Sequence, residues 1–304
     1  MECRVFGLLK RRADAKGRIG LCVERGRIAI AVVTRAADQV FLSRCEVLPV
    51  DAAGGPDAIA AAVRDAGLPK YPVSAVLGAS DYQIALVEAP EVPRAELRAA
   101  MRWRLKDAID FRIEDAIVDV FDLPSQNRGS RANMIYGVAA KRAAVDHWSA
   151  CLAATSAFDV IDVPELCLRN LASHTTFAPG GVALLHFGED SATVILVRGR
   201  AFYFARQMDL QAARNAGGIV LELQRSLDYY ERHFDQPPIT RIAISPTGPR
   251  AQALAEDLKR ETGFEVSALD LNSVLQCAAP IDAATQSACI LAVGAALREE
   301  RRPS

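Results

Sequence analysis

The stretch GLCVERGRIAIAVVTR, residues 20–35, alternates apolar and polar side chains around one Arg-Gly pair. Alternation with a period of two predicts two β-strands, and the pair at residues 25–26 predicts a tight turn between them. QVFLSRCEV, residues 39–47, continues the pattern as a third strand. The sequence therefore predicts three short antiparallel strands in a row.

A helix over residues 56–66 and a buried strand in the apolar run VSAVLG, residues 73–78, are predicted next. The same order returns later, because GVALLHFG, SATVILVRG and AFYFARQM predict three strands between residues 181 and 208, with a turn at residues 198–199. A long helix over residues 215–234 follows, and the chain is therefore predicted to be internally duplicated. The second copy is completed by a strand at 240–245, a helix at 249–262, a strand at 264–267 and a final helix at 284–298.

A segment between the two copies fits neither of them. Residues 80–157 predict two helices, at 93–108 and 142–155, and two strands, at 116–123 and 133–139. A piece of this size is too large for a loop, so it is predicted to be an inserted subdomain. The predicted organisation is an N-terminal extension (1–17), a first half (18–79, with 158–180 as its second part and crossover), the insert (80–157) and a second half (181–304).

The composition excludes several classes of protein. Among 304 residues, 36 Lys and Arg oppose 37 Asp and Glu, so the net charge of -1 gives no general attraction to nucleic acid. The seven cysteines are scattered and form no CxxC pair, which indicates core thiols in a reducing compartment rather than disulfides or a zinc site. No His pair has metal-ligand spacing, so no metal site is predicted.

Membrane-spanning segments are also not predicted, because the longest apolar run, residues 289–297, is about half of what a bilayer requires. The start of the chain carries an apolar patch followed by Lys10, Arg11 and Arg12. That order is the reverse of a signal peptide. The patch is interpreted as a frayed terminus, with a weak peripheral membrane anchor as the alternative.

Two βββα halves with an insertion resemble the actin-like, or ribonuclease-H-like, ATPase fold, an α/β architecture of two duplicated subdomains with an inserted α+β subdomain. LELQRSLDYYERHF (residues 221–234) resembles a helix of PilM, the cytoplasmic actin-like component of type IV pilus assembly. EAPEVPRAELRAAMRWRLKDAIDF (88–111) resembles the entrance to PilM's inserted subdomain, and CILAVGAALRE (289–299) resembles its closing helix. FGLLKRR (6–12) and YERHFDQPPI (230–239) are most similar to the MshI branch, which serves the mannose-sensitive haemagglutinin (MSHA) pilus.

The first phosphate loop departs from the pattern of this family. The resemblance places Cys22 where the family has a metal-positioning Asp, Glu24 where it has a Gly, and Ala29 where it has a Lys. A thiol is a poor ligand for Mg²⁺, and Glu24 would bring a negative charge close to a triphosphate. Both changes oppose the binding of Mg-nucleotide.

The second phosphate loop and the adenosine loop depart as well. His186 replaces the second Asp, although Gly188 and Thr193 are kept. The family's adenosine glycines become ISPTGPRA, in which only Gly248 survives, and the double glycine after the third strand is missing, with Gly217-Gly218 interpreted as a displaced turn. A retained but unusual nucleotide site would use Glu189, with the neighbouring Asp190, and Glu222, which matches a family glutamate near the nucleotide.

The resemblance therefore implies a pseudo-ATPase without a cofactor, which acts as a cytoplasmic scaffold at the inner membrane. Its implied partner is the cytoplasmic tail of a PilN-like inner-membrane protein, with the pilus assembly ATPase as a further partner. The tail is expected in a groove that involves the insert, in the region of Trp103 and Ile135. The alternatives are an active or nucleotide-binding PilM-like ATPase and an adaptor like the L protein of type II secretion.

Overall fold

The structure is a computed structural model that describes residues 17–36, 39–51, 55–125, 133–153, 158–188, 192–208 and 216–299. Its strands are, in chain order, β1 (Gly17–Glu24), β2 (Arg27–Ala36), β3 (Gln39–Pro49), β4 (Val73–Val76), β5 (Tyr82–Glu88), β6 (Ala116–Asp122), β7 (Met134–Lys141), β8 (Phe158–Asp162), β9 (Val182–Phe187), β10 (Ala192–Arg198), β11 (Ala201–Met208), β12 (Arg241–Ser245), β13 (Glu265–Ala268) and β14 (Gln276–Cys277). Its α-helices are α1 (Gly55–Asp65), α2 (Leu97–Leu105), α3 (Arg142–Leu152), α4 (Pro164–Ala172), α5 (Ala216–His233), α6 (Pro249–Thr262), α7 (Leu271–Val274) and α8 (Ala283–Ala296).

Two of the three sheets repeat one topology. The first has the order β14-β3-β2-β1-β4-β8, and the second has the order β11-β10-β9-β12-β13. In both, the first three strands are antiparallel, and the fourth and fifth continue the sheet in parallel. The predicted duplication is therefore present as a repeated strand order.

The predicted turn between the first two strands is confirmed. Arg25 and Gly26 both have positive φ, at 45° and 71°, between strands that pair from Glu24 to Arg27 outward. Two consecutive positive φ angles are typical of a type I′ turn, whose twist matches that of the flanking strands. A local sequence signal therefore determines the first hairpin.

The third sheet belongs to the insert and has the order β5-β7-β6. Strand β5 was not predicted, because the elements predicted for the insert begin with the helix at residues 93–108. Helix α2 covers one face of this sheet with the buried side chains Met101 and Leu105. A side chain at Gly137 of β7 would lie 2.7 Å from Met101 Cε, so the absence of a side chain there lets α2 approach closely.

Two sets of contacts cross the predicted limits of the halves. Helix α3, predicted as part of the insert, packs on α1 in the way that α6 packs on α5 in the second half. Strand β14 pairs with β3, and α8 packs on the first sheet and on α4, although residues 181–304 were predicted to form the second half. The predicted extension at residues 1–17 lies outside the described residues except for Gly17.

One predicted turn is wrong. Gly217 and Gly218 lie inside the first turn of α5, which begins at Ala216. The first backbone N–H groups of a helix have no intrahelical partner, so glycines are better tolerated there than in a helix centre. In the part of the chain that the structure describes, no helix has the length and apolar character needed to cross a bilayer.

Candidate functional site

A cleft of about 290 Å³ opens where the first strands of the two repeated sheets end. Because β1 and β9 occupy equivalent positions in their sheets, their carboxyl ends face each other across it. Helix α8 supplies a third wall of small and apolar side chains. The lining residues are Cys22, Glu24, Arg27, Ala29, Val47, His186, Phe187, Gly188, Ala284, Ser287, Ala288, Ile290 and Leu291.

Cys22 reaches this cleft from the centre of the first sheet. It pairs with Ala29 on one side and Val76 on the other, and it is 4% exposed. Its Sγ lies 4.0 Å from the Glu24 carboxylate. Burial, and then the charge of Glu24, raise the pKa of Cys22 well above the usual range. The thiol is therefore neutral at physiological pH.

His186 occupies the equivalent position in the second sheet. It is buried, and its Nδ1 lies 3.2 Å from the hydroxyl of Ser245 on the neighbouring strand β12. Burial lowers the pKa of His186 to about 4, because a charged imidazolium would lose its hydration. The imidazole is therefore neutral as well.

These side chains do not fit Mg-nucleotide. Magnesium prefers oxygen ligands, above all carboxylates, whereas Cys22 and His186 present a neutral thiol and a neutral imidazole. Glu24 supplies the one carboxylate among the described residues that line the cleft. Among the described residues, no three His, Cys, Asp or Glu side chains are grouped so that they could hold a metal ion. Glu189 and Asp190, predicted as substitutes for the lost carboxylates, lie outside the described residues.

The cleft brings together only some of the predicted nucleotide-site residues. Cys22, Glu24 and Gly188 line it, together with His186. Thr193 does not line the cleft; it is buried in β10, where it pairs with His186.

Two further predicted positions lie apart from the cleft lining. Glu222 is held by two arginines, with 3.2 Å to Arg206 Nη1 and 2.6 Å to Arg225 Nη1, and it does not line the cleft. The spacing of Glu222 and Arg225 on one helix was a signal for this ion pair. Gly248 precedes α6 with a φ of 144°, and a Cβ added there would have no neighbour within 4 Å.

The contribution of α8 to the cleft was not predicted from the sequence. The helix is apolar on nearly all sides, so its periodicity does not indicate a direction. Ser287, Ala288 and Leu291 face the cleft, whereas Cys289 and Ala292 are fully buried on the opposite side. Only the close packing of α8 on the first sheet shows which residues reach the site.

The two predicted partner-binding residues have opposite environments. Trp103 lies on α2 and is 78% exposed. Ile135 is 3% exposed and lies in β7, the central strand of the insert sheet, whose two edges are both paired. The prediction of direct partner contact through the Ile135 side chain therefore needs correction, because that side chain packs in the core under α2.

The insert also contacts the second half directly. Tyr136 Oη of β7 accepts a hydrogen bond of 2.8 Å from the backbone N–H of Ala205 in β11. Its ring stacks on Phe121 at 5.0 Å and meets Phe202 of β11 edge-on at 5.5 Å. These contacts join the insert to the edge of the second sheet.

A buried carboxyl group ties the start of the insert to the first half. Tyr82 donates a hydrogen bond of 2.7 Å to Glu165 in the first turn of α4. Glu165 is 1% exposed. Burial raises the pKa of Glu165, although the bond from Tyr82 opposes the shift. Folding therefore favours the protonated carboxyl relative to the unfolded chain.

We expect Glu165→Gln to raise the free energy of unfolding at about pH 8 and to have little effect near pH 4.5. Because the folded pKa is above the ordinary value of 4.5, the stability from this group is complete below that value and is lost as the pH rises through the folded pKa. Gln keeps the acceptor for Tyr82 and carries no charge. Urea unfolding of both proteins across this pH range measures the difference, and exposed Glu265→Gln is the control. A difference that does not depend on pH would contradict the assignment.

Comparisons with known proteins agree on the fold. No family model and no curated protein matches the chain. Solved structures do match, and they establish that the chain has the actin-like ATPase fold, which confirms the predicted fold class. One such structure is the PilM–PilN type IV pilus biogenesis complex, at 20% identity and a TM-score of 0.66, covering 92% of this chain and 97% of that one.

Two other structures extend the comparison. A Bacteroides thetaiotaomicron protein with actin-like ATPase fold and unknown function matches at 9% identity and a TM-score of 0.52, over 86% of this chain and 93% of that one. The cytoplasmic domain of EpsL, an inner-membrane component of the Vibrio cholerae type II secretion system, matches at 16% identity and a TM-score of 0.49, over 93% of this chain and 96% of that one.

Proposed function

We propose that this chain is a scaffold protein of a type IV pilus assembly machine, of the MSHA type, that works in the cytoplasm at the inner membrane. Its actin-like fold serves to hold a partner rather than to hydrolyse ATP. The observation that carries the proposal is the pair of neutral side chains, Cys22 and His186, at the two strand ends that face the cleft. Shared fold with the solved PilM–PilN complex supports the choice of machinery.

The proposed partner is the cytoplasmic tail of a PilN-like inner-membrane protein, with the pilus assembly ATPase as a further contact. Trp103 offers a large exposed aromatic surface on α2, which is the side chain most suited to anchor a peptide. Arg94, just before α2, and Arg98, in its first turn, form ion pairs with two carboxylates of β6, Asp122 and Asp119. Strand β5 forms the other edge of the insert sheet and is the proposed site of main-chain pairing with the tail.

We expect Trp103→Ala to weaken binding of a synthetic PilN-type tail peptide by about 30-fold, as for an aromatic anchor worth about 2 kcal/mol. The free energy of unfolding of Trp103→Ala should stay within about 0.5 kcal/mol of wild type, because the indole ring is exposed. Leu221→Ala, at an exposed apolar position of α5 outside the insert, is the matched control and should bind normally. Calorimetric titration gives both affinities. Equal affinity of Trp103→Ala and wild type would reject the docking site.

The same calorimetric titration with Mg-ATP tests the pseudo-ATPase part of the proposal. No heat, no thermal stabilisation and unchanged peptide affinity in its presence are the expected results. Micromolar binding of Mg-ATP would reject the proposal and indicate that Glu189 or Asp190 has replaced the lost carboxylates. In that case Cys22→Ser would leave the binding unchanged, since the thiol would not be a ligand.

A further inference from the structure

A pair of thiols lies between the first sheet and α8. Cys289 of α8 is fully buried, and its Sγ donates to the Glu46 carbonyl of β3 at 3.4 Å. Glu46 directly follows Cys45 in β3, so the Cys289 sulfur lies beside Cys45 as well. Cys45 is only half-buried, so solvent can reach this residue. Cys45 and Cys289 therefore lie on opposite sides of the interface between β3 and α8.

The two thiols differ in the way that peroxide-sensitive pairs require. The neighbouring Cys289 thiol lowers the pKa of Cys45, although burial and the nearby Asp282 and Glu46 oppose this. The same contact, with burial, raises the pKa of Cys289. A thiolate that solvent can reach is the nucleophile in oxidation, and a second cysteine beside it can resolve the sulfenic acid when its proton leaves with the hydroxyl.

The other cysteines of the described residues lack this combination. Cys22, Cys151 and Cys167 are buried, and burial raises the pKa of each of these thiols. Cys277 is half-buried but its pKa is raised, and its Sγ is directed to the carbonyl groups of Leu271 and Leu275. Cys45 is therefore the thiol most suited to react.

We propose that Cys45 and Cys289 form a peroxide-sensitive modification site that closes into a disulfide between β3 and α8. The Cys45 thiolate attacks hydrogen peroxide, which takes up two electrons, so that Cys45 becomes a sulfenic acid and hydroxide leaves. The Cys289 sulfur then attacks the Cys45 sulfur. The S–S bond forms, the S–O bond breaks, and the hydroxyl leaves as water with the proton of Cys289.

This bond would lie directly behind the cleft. Ala288 and Ile290, the neighbours of Cys289, both line the cleft, and Val47, two residues after Cys45, lines it as well. A disulfide would therefore join the β3 wall of the cleft to its α8 wall. Oxidation is expected to fix the distance between these walls, whatever occupies the cleft.

The test is peroxide treatment of the full chain, followed by blocking of free thiols and peptide mapping without reduction. Trypsin alone leaves Cys277 and Cys289 in one peptide, residues 261–298, so a second cleavage before Asp282 is needed to separate them. The expected product is a Cys45–Cys289 disulfide. Cys289→Ser should stop the reaction at a Cys45 sulfenic acid that dimedone traps, and Cys45→Ser should give neither product.

Cys151→Ser is the matched control, because it removes a buried thiol from a different interface and should leave the disulfide unchanged. Circular dichroism checks that each variant is folded, and Cys289→Ala replaces Cys289→Ser if the hydroxyl disturbs packing. A Cys45–Cys277 disulfide, or no labelling of Cys45 in the folded Cys289 variant, would overturn the assignment.

Discussion

Asp162→Ala is expected to lower the free energy of unfolding by about 3–5 kcal/mol, since it leaves a buried arginine without its carboxylate. Asp162 ends β8 and has no exposed surface, and its Oδ2 lies 2.6 Å from Nη1 of Arg298. Its Oδ1 also accepts a bond of 3.0 Å from the N–H of Val163. The pair joins positions 136 residues apart and holds the chain that follows α8 against the first sheet.

Urea unfolding measures this loss of stability, and two further variants test whether the buried, unpaired charge causes it. Glu265→Ala breaks the exposed pair with Arg241, whose atoms are 3.1 Å apart, and should cost less than about 1 kcal/mol. Arg298→Met in the Asp162→Ala background removes the uncompensated charge and should recover part of the stability. A cost for Asp162→Ala no larger than that of Glu265→Ala would contradict the account.

Gly20→Ala is expected to destabilise the fold by about 3 kcal/mol, the upper end for overpacking, because no side chain can move aside. A Cβ at Gly20 of β1 would overlap the Ala292 carbonyl oxygen and lie 2.8 Å from the Ala296 nitrogen, both in the backbone of α8. On the other side of the helix, a Cβ added at Gly294 would overlap the Cys167 carbonyl of α4. Helix α8 is therefore held between β1 and α4 and cannot shift away from a new methyl group.

The matched control is Gly78→Ala. A Cβ there would meet a side-chain oxygen, Oδ2 of Asp81, at 3.1 Å, and this carboxylate can rotate away. The free energy of unfolding of Gly78→Ala should stay within about 1 kcal/mol of wild type, and the loss of entropy in the unfolded chain favours stabilisation. Equal stability of the two variants would show that α8 does not pack on β1 as closely as described.

Local signals predicted much of this architecture. Alternation and turn residues predicted the hairpin at Arg25-Gly26 and the two sets of three strands, because strand period and turn conformation depend on neighbouring residues. Strand β5 was missed because its seven residues carry no local feature that requires pairing with another strand. It became a strand through its partner β7, whose residues lie about 50 positions later.

The site was predicted less completely than the fold. Cys22, Glu24 and Gly188 were predicted to share one cleft and do line one, because β1 and β9 end there. Glu222 lies outside that lining, because its ion pair with Arg206 depends on how α5 packs on β11. The sequence around Trp103 left exposure and burial equally open, and only the packing of Met101 and Leu105 on the insert sheet directed Trp103 outward.

The repeated order of strands and helices follows from the sequence alone, as does the chemistry of the side chains at positions 22 and 186, because both depend only on local residues. Tertiary contacts establish that α8 returns to the first sheet, that burial keeps Cys22 and His186 neutral, and that the Cys289 sulfur lies against β3 beside Cys45. Burial and charge depend on contacts between residues far apart in the chain. A helix that is apolar on all sides carries no local information about which surface will cover it.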